Sequence, residues 1–168
     1  MERLEPAQHR DIEACGRILE EGRRFQQEQG FTQWTEDYPN TDTVRQDVLA
    51  HKGYVVTVGG QLAGYLCIDF SGEPAYANID GAWRSESPYA VIHRMALRET
   101  FRGNGLSGTV FRLAEALCLE RGVRYIRIDT DFPNKRMQHI LAKNGYEKCG
   151  IIVFQGSGKL AYDKILVP

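Results

Sequence analysis

Apolar residues along this chain recur with two periods, one helical and one strand-like. Over residues 11–29, Ile12, Cys15, Ile18, Leu19 and Phe25 fall on one helical face with charges between them, and Gly30 follows as a stop. Residues 42–52 predict a second helix, with Asp42 as its cap and Val44, Val48 and Leu49 directed inward. From Gly53 the period shortens: 54–58 and 62–69 are strands joined by the turn Gly59-Gly60. Residues 71–87 are polar and punctuated by glycine and proline, and 89–97 form another strand. A strong helix covers 104–120, with Leu106, Val110, Leu113, Ala114 and Leu117 on one face and Gly122 as its end. A strand at 123–129 and a helix at 134–143 follow, the helix turning Met137, Ile140 and Leu141 to the core. Strands 146–154 and 160–166 close the chain around the turn Gln155-Gly156-Ser157-Gly158, and Arg3-Leu4-Glu5 adds a short strand at the start. The order β-αα-βββ-α-β-α-ββ describes one α/β domain over residues 1–168, with a mixed sheet of about seven strands and four helices.

Composition narrows the picture little. The 168 residues are 42% hydrophobic and 26% charged, ordinary for a globular domain. The formal net charge of -1 speaks against a nucleic-acid partner. No apolar run reaches the ~20 residues that span a bilayer, so no membrane partner is expected. Cys15, Cys67, Cys118 and Cys149 form no CxxC pair, and Met1-Glu2-Arg3-Leu4-Glu5-Pro6 lacks a signal-peptide pattern. A reducing, cytoplasmic setting is the expectation, with the cysteines as small buried apolar residues. His9, His51, His93 and His139 show no metal-ligand spacing, so no metal is expected.

The informative stretch runs from Val91 to Gly108. A strand leads into a glycine-rich turn, and the turn opens a long helix. Such a helix start presents unpaired N–H groups and the positive end of the helix dipole, and glycine lets a ligand approach the backbone. This is an anion site suited to a phosphate or pyrophosphate. Gly103-Asn104-Gly105-Leu106-Ser107-Gly108 also matches GxGxxG, and Asp129 follows about 20 residues later, as in a dinucleotide-binding unit. Three features oppose that reading. Arg98 to Arg102 separate the glycines from their strand, the chain beyond is too short for further parallel strands, and two adjacent strands close it. A Walker A loop is excluded because no Gly-Lys-Ser/Thr occurs there.

The same stretch resembles the GNAT (GCN5-related) N-acetyltransferase superfamily, in its small stand-alone bacterial form. The family's Gln/Arg-x-x-Gly-x-Gly/Ala signature is met by Arg102, Gly105 and Ser107, with Ser107 a mild departure. The preceding apolar-Ala-apolar triplet is Met95-Ala96-Leu97. The family's later Asn is matched by Asn134, and its Gly-Phe by Gly145-Tyr146. The resemblance implies the GNAT fold, a twisted mixed sheet with helices on both faces. It implies transfer of an acetyl group from the cosubstrate acetyl-CoA to a primary amine of a small molecule or peptide, by a monomer or homodimer. Arg102, Gly103, Asn104, Gly105, Leu106, Ser107 and Gly108 would then hold the CoA pyrophosphate. Met95, Ala96 and Leu97 would hold pantetheine and acetyl through their main chain, and Asn134 would contact CoA or simply cap its helix.

Acetyl-CoA is already activated, so the amine can attack directly. The amine must first be neutral, which calls for a base; His93, Asp129 and Asp131 are the candidates. The Met95 N–H is the candidate oxyanion donor. Many relatives protonate the departing thiolate with a tyrosine on the helix after the Asn, where this chain has Leu141. Trp34, Tyr38, Tyr76 and Trp83, aromatics in polar loops, are the candidate acceptor contacts, with packing on the core as the alternative. Two other readings compete: a GNAT-fold acyl-CoA-binding module without chemistry, suggested by Leu141, and an NAD(P)-binding oxidoreductase, suggested by GxGxxG with Asp129.

Overall fold

The computed structural model describes residues 1–167. Its strands are β1 (Glu2–Pro6), β2 (Gly53–Val58), β3 (Gln61–Asp69), β4 (Asp80–Gly81), β5 (Ala90–Leu97), β6 (Tyr125–Thr130), β7 (Glu147–Phe154) and β8 (Ser157–Ile165). Its helices are α1 (Ile12–Glu28), α2 (Thr41–Leu49), α3 (Leu106–Glu120) and α4 (Lys135–Lys143). The strands form one mixed sheet in the order β1-β2-β3-β5-β6-β8-β7-β4. The count is eight rather than seven because the polar segment after β3 contributes the two-residue β4, which pairs Asp80 with Ile151 and Gly81 with Gly150. β5 and β6 pair in parallel through Ala90↔Ile126 and Val91↔Arg127, as the strand–helix–strand unit between them requires. β6–β8 and β7–β8 are antiparallel, which is not the parallel repeat of a doubly wound dinucleotide fold.

Two compact units divide the chain: Met1–Ile68 with His93–Leu113, and Asp69–Ile92 with the chain from Ala114 on. In the first unit the apolar face of α1 supplies Ile12, Cys15, Ile18 and Leu19 to a core with Val44, Val55, Tyr65 and Ala96. α2 corrects the sequence reading in two places. Its cap is Asn40, not Asp42: the Asn40 Oδ1 accepts from the Thr43 N–H at 3.1 Å, and the Thr43 hydroxyl oxygen accepts from the Asn40 N–H at 3.0 Å. The helix also ends at Leu49, which is 68% exposed, and Asp47 takes an inward position instead.

In the second unit α3 contributes buried Ala114 and Cys118, and Leu141 of α4 is fully buried. The β7–β8 turn is shorter than expected. Phe154 pairs with Ser157, so Gln155 and Gly156 alone make the turn, both left-handed at φ 54° and 76°.

Candidate functional site

The glycine turn lies in the first unit. β5 ends at Leu97, and a 3₁₀ turn, Glu99–Phe101, fills the interval before the glycines. Gly103 and Gly105 take φ 83° and 75°, and a Cβ at either would meet nothing within 4 Å. Those left-handed residues are why α3 begins at Leu106 rather than Asn104. The first N–H groups of α3 have no partner within the helix and follow directly on this open backbone, an arrangement that receives an anion.

The turn is fastened to its surroundings. The Arg98 N–H donates to the Ala63 carbonyl at 2.7 Å, and its guanidinium donates to the Leu62 carbonyl at 3.2 Å. The Arg102 Nε donates to the Leu97 carbonyl at 3.2 Å, and its guanidinium lies 4.3 Å from the Phe25 ring centroid. These contacts fasten the Arg102 side chain to the loop through its Nε and the face of its guanidinium.

β5 carries the Met95-Ala96-Leu97 triplet, with Ala96 and Leu97 buried. Just before it, Arg94 is left-handed at φ 53°, a conformation that costs a residue with a Cβ about 1–2 kcal/mol. The Arg94 side chain is also largely covered. Its Nη2 and Nε donate to the two Asp47 oxygens at 2.7 and 3.1 Å, and its Nη1 donates to the Tyr38 hydroxyl at 2.7 Å. The Tyr65 hydroxyl donates to Asp47 at 2.5 Å. The two ion-pair side chains are 10% and 3% exposed, so this is a desolvated pair with each oxygen satisfied.

The α1–α2 connector brings Trp34 and Tyr38 to the same unit. The Trp34 N–H donates to the buried Gln26 Oε1 at 3.0 Å, and the Trp34 ring sits where a Cβ on Gly22 would be 2.7 Å from it and 3.3 Å from Ala96 Cβ. Trp34 therefore lies beside the centre of the triplet. Tyr38 is half-buried. Burial raises its phenol, against the pull of the Arg94 charge. His93 precedes Arg94 on the strand and is also half-buried.

In the second unit the Tyr76 hydroxyl donates to Asp129 at 2.6 Å. Burial lifts the Asp129 carboxyl above its usual range, while the Tyr76 hydrogen bond and the nearby Lys159 charge pull the other way. Asp131 pairs with Lys159 at 3.4 Å. Of the two candidate acceptor contacts here, Tyr76 is buried as an anchor and Trp83 is half-buried. Tyr76 is 1% exposed, and the Trp83 indole N–H donates to the Tyr76 carbonyl at 2.9 Å. The Trp83 and Tyr89 rings lie 4.4 and 4.3 Å from the guanidinium of buried Arg127, which donates to the Ser85 carbonyl at 2.8 Å. Asn134 caps α4 by accepting from the Met137 N–H at 3.0 Å. The Tyr146 hydroxyl is committed to Glu115 at 2.8 Å.

Sequence reasoning missed Asp47, Arg94, Arg127 and Asp163. Each is a charge inside an otherwise apolar face or strand, as in Val44-x-x-Asp47-Val48 and Ile126-Arg127-Ile128, and that placement was the available signal.

The model of the Acetyltransferase (GNAT) family matches residues 18–146. The chain belongs to the GNAT acetyltransferase family. Among solved structures, a GNAT-family acetyltransferase from Streptococcus agalactiae is 33% identical, with 99% of this chain and 96% of that one covered at a TM-score of 0.91. A GNAT-family acetyltransferase from Listeria monocytogenes is 21% identical over 98% and 95% of the two chains, with a TM-score of 0.78. The aminoglycoside acetyltransferase AAC(6')-Ib, in complex with coenzyme A and kanamycin, is 20% identical over 98% and 95%, with a TM-score of 0.71. The last two share the GNAT fold with this chain. No curated protein matches it. Among the described residues no His, Cys, Asp and Glu side chains group as a metal site, and no helix is long and apolar enough to cross a membrane.

Proposed function

We propose that this GNAT-family chain is a cytoplasmic, acetyl-CoA-dependent N-acetyltransferase, acting as one domain over residues 1–168, that acetylates a primary amine of a small molecule or peptide. The observation that carries the reading is the open, left-handed glycine turn at the start of α3, one short 3₁₀ turn after β5, the acetyl strand of the family. Solved GNAT neighbours in complex with coenzyme A and aminoglycosides support it.

In this reading the N–H groups from Gly103 to Gly108 hold the pyrophosphate, where dipole and unpaired donors act together. The main chain of Met95, Ala96 and Leu97 holds the pantetheine and acetyl groups. The Met95 N–H donates to the thioester carbonyl and then to the oxyanion of the tetrahedral intermediate. Asn134 contacts CoA while capping α4. Trp34 and Tyr38 face the acceptor.

The ammonium form of the amine loses a proton to a base, and the neutral nitrogen attacks the carbonyl carbon. Collapse breaks the C–S bond and expels the CoA thiolate. Asp129 is the favoured base over His93 and Asp131, because burial raises the proton affinity of its carboxyl. The thiolate, with a pKa of about 8.5, takes its proton from water.

Buried Leu141 at the place of the family's usual tyrosine favours a second reading, a GNAT-fold acyl-CoA binder without chemistry. A thiol-release assay separates the two. Acetyl-CoA is mixed with the protein and a panel of kanamycin, spermidine, free amino acids and a lysine-containing peptide. Amine-dependent thiol release is the expected result. Acetyl-CoA binding with no release across the panel supports the binder, and no binding sinks both.

A further inference from the structure

A residue with a Cβ does not hold φ 53° in mid-strand unless its surroundings keep it there. Three polar contacts grip Arg94: two to the carboxylate of Asp47 and one to the hydroxyl of Tyr38. Asp47 is itself fixed on α2 and by the Tyr65 hydroxyl. The peptide that leaves Arg94 carries the Met95 N–H, so the backbone at position 94 sets the direction of that donor.

We propose that the Arg94–Asp47 pair is a positioning device: it holds the left-handed backbone that aims the Met95 N–H at the thioester carbonyl. In this role Arg94 acts through the backbone, its guanidinium being held by Asp47 and Tyr38. The inference rests on the acetyltransferase reading above and adds two residues to it. A purely stabilising ion pair would make a different prediction, because stability is indifferent to whether the bound ligand carries an acetyl group.

The test compares the affinities of acetyl-CoA and free CoA by calorimetry, because only the first has the carbonyl. The readout is the ratio of the two dissociation constants. Two variants lose the same charges: Asp47→Asn with Arg94→Ala, and Asp47→Asn with Arg94→Gly. Glycine enters the left-handed region freely, whereas alanine relaxes out of it. The alanine variant is expected to lose acetyl-CoA preference by about three- to tenfold, the size of one hydrogen bond. The glycine variant is expected to stay near the parental ratio.

Equal ratios in the two variants, whether both parental or both reduced, overturn the proposal. Where circular dichroism shows a double variant unfolded, Arg94→Lys decides, because an ammonium keeps the charge without the two-point grip. An unchanged ratio in that variant overturns the proposal, and a fall of about threefold or more supports it. A parent chain that binds neither ligand overturns the acetyltransferase reading, and this inference with it. A parent that binds both, with indistinguishable variants, overturns the positioning role alone.

Discussion

The two loops that sequence reasoning assigned to the acceptor are held in opposite ways. In the first unit, the connector from Gly30 to Asn40 is held by charge and by one capping box. Arg94 grips Tyr38, Gln26 takes the Trp34 N–H, and Asn40 caps α2. Its rings Trp34 and Tyr38 stay half-buried. In the second unit, the segment between β3 and β5 is held by its own rings. Trp83 and Tyr89 clasp Arg127, Tyr76 is buried against Trp83 with ring centroids 5.1 Å apart, and Arg84 binds fully buried Asp163. An aromatic residue in a polar loop therefore points to a ligand only where its packing leaves the ring a free face. Trp34, Tyr38 and Trp83 are half-buried, and Tyr76 is fully buried.

Removing the anchor of the first unit should have the largest effect. Asp47→Ala leaves Arg94 buried without its carboxylate, and a loss of about 3–5 kcal/mol is expected in urea unfolding. A loss below about 1 kcal/mol, the size of an exposed pair, would show that charge does not hold this unit.

Next comes Asp129→Asn, which keeps a partner for the Tyr76 hydroxyl. As the proposed base, its loss should lower turnover by about 10²-fold or more. The stability effect has the opposite sign. Burial raises the folded Asp129 pKa above 3.8, so its contribution is full below that value and is lost as pH rises through the folded pKa. The Asn variant should therefore be the more stable protein at neutral pH. Asp163 runs the other way. Burial pushes its carboxyl up, but hydrogen bonds from Tyr125 and Arg84 outweigh that and lower it below 3.8. Its stabilisation is present above that pH and disappears as pH falls through the folded pKa, so Asp163→Asn should cost stability at neutral pH and little in acid. Thermal melts across pH read both signs, and equal signs would contradict the assignment.

Arg127→Met keeps the volume inside the ring clasp and removes the charge. The variant loses the ring contacts and the hydrogen bond to the Ser85 carbonyl, while the Nε has no partner among the described residues to lose, so a loss of about 1–3 kcal/mol is expected. A loss matching Asp47→Ala would erase the contrast between the two loops.

The smallest effect is expected from Tyr146→Phe. Its hydroxyl serves Glu115, beside the Lys164 contact to the same carboxylate at 2.9 Å. Turnover should change by less than about threefold. A loss of ~10²-fold or more would make Tyr146 the missing general acid.

The element order, the parallel β5–β6 pair and the glycine turn were legible because each follows from local rules: periodicity, crossover handedness and turn chemistry. What escaped was what only tertiary contacts decide. Leu49 looks inward by period, yet α2 stops there and Asp47 is buried in its place, because Arg94 and Tyr65 satisfy it. β4 is two residues long and exists only through its pairing with β7. Arg102 fits a family signature as a residue type, and its contacts to the Leu97 carbonyl and the Phe25 ring appear only in the folded chain. The same holds for Tyr76, which lies in a polar stretch of sequence and is buried by partners far along the chain.

The central claim is that the turn from Gly103 to Gly108 holds the pyrophosphate of acetyl-CoA. Titration calorimetry of acetyl-CoA against the parent chain and Gly105→Asp tests it most directly. Aspartate tolerates the left-handed backbone better than most residues, and a Cβ at Gly105 meets nothing within 4 Å, so the fold should survive. Its carboxylate would stand against the phosphate charge. The account predicts saturable binding to the parent, with an affinity loss of about 100-fold or more in the variant at an unchanged melting temperature. Equal affinity of the two proteins for acetyl-CoA would contradict it.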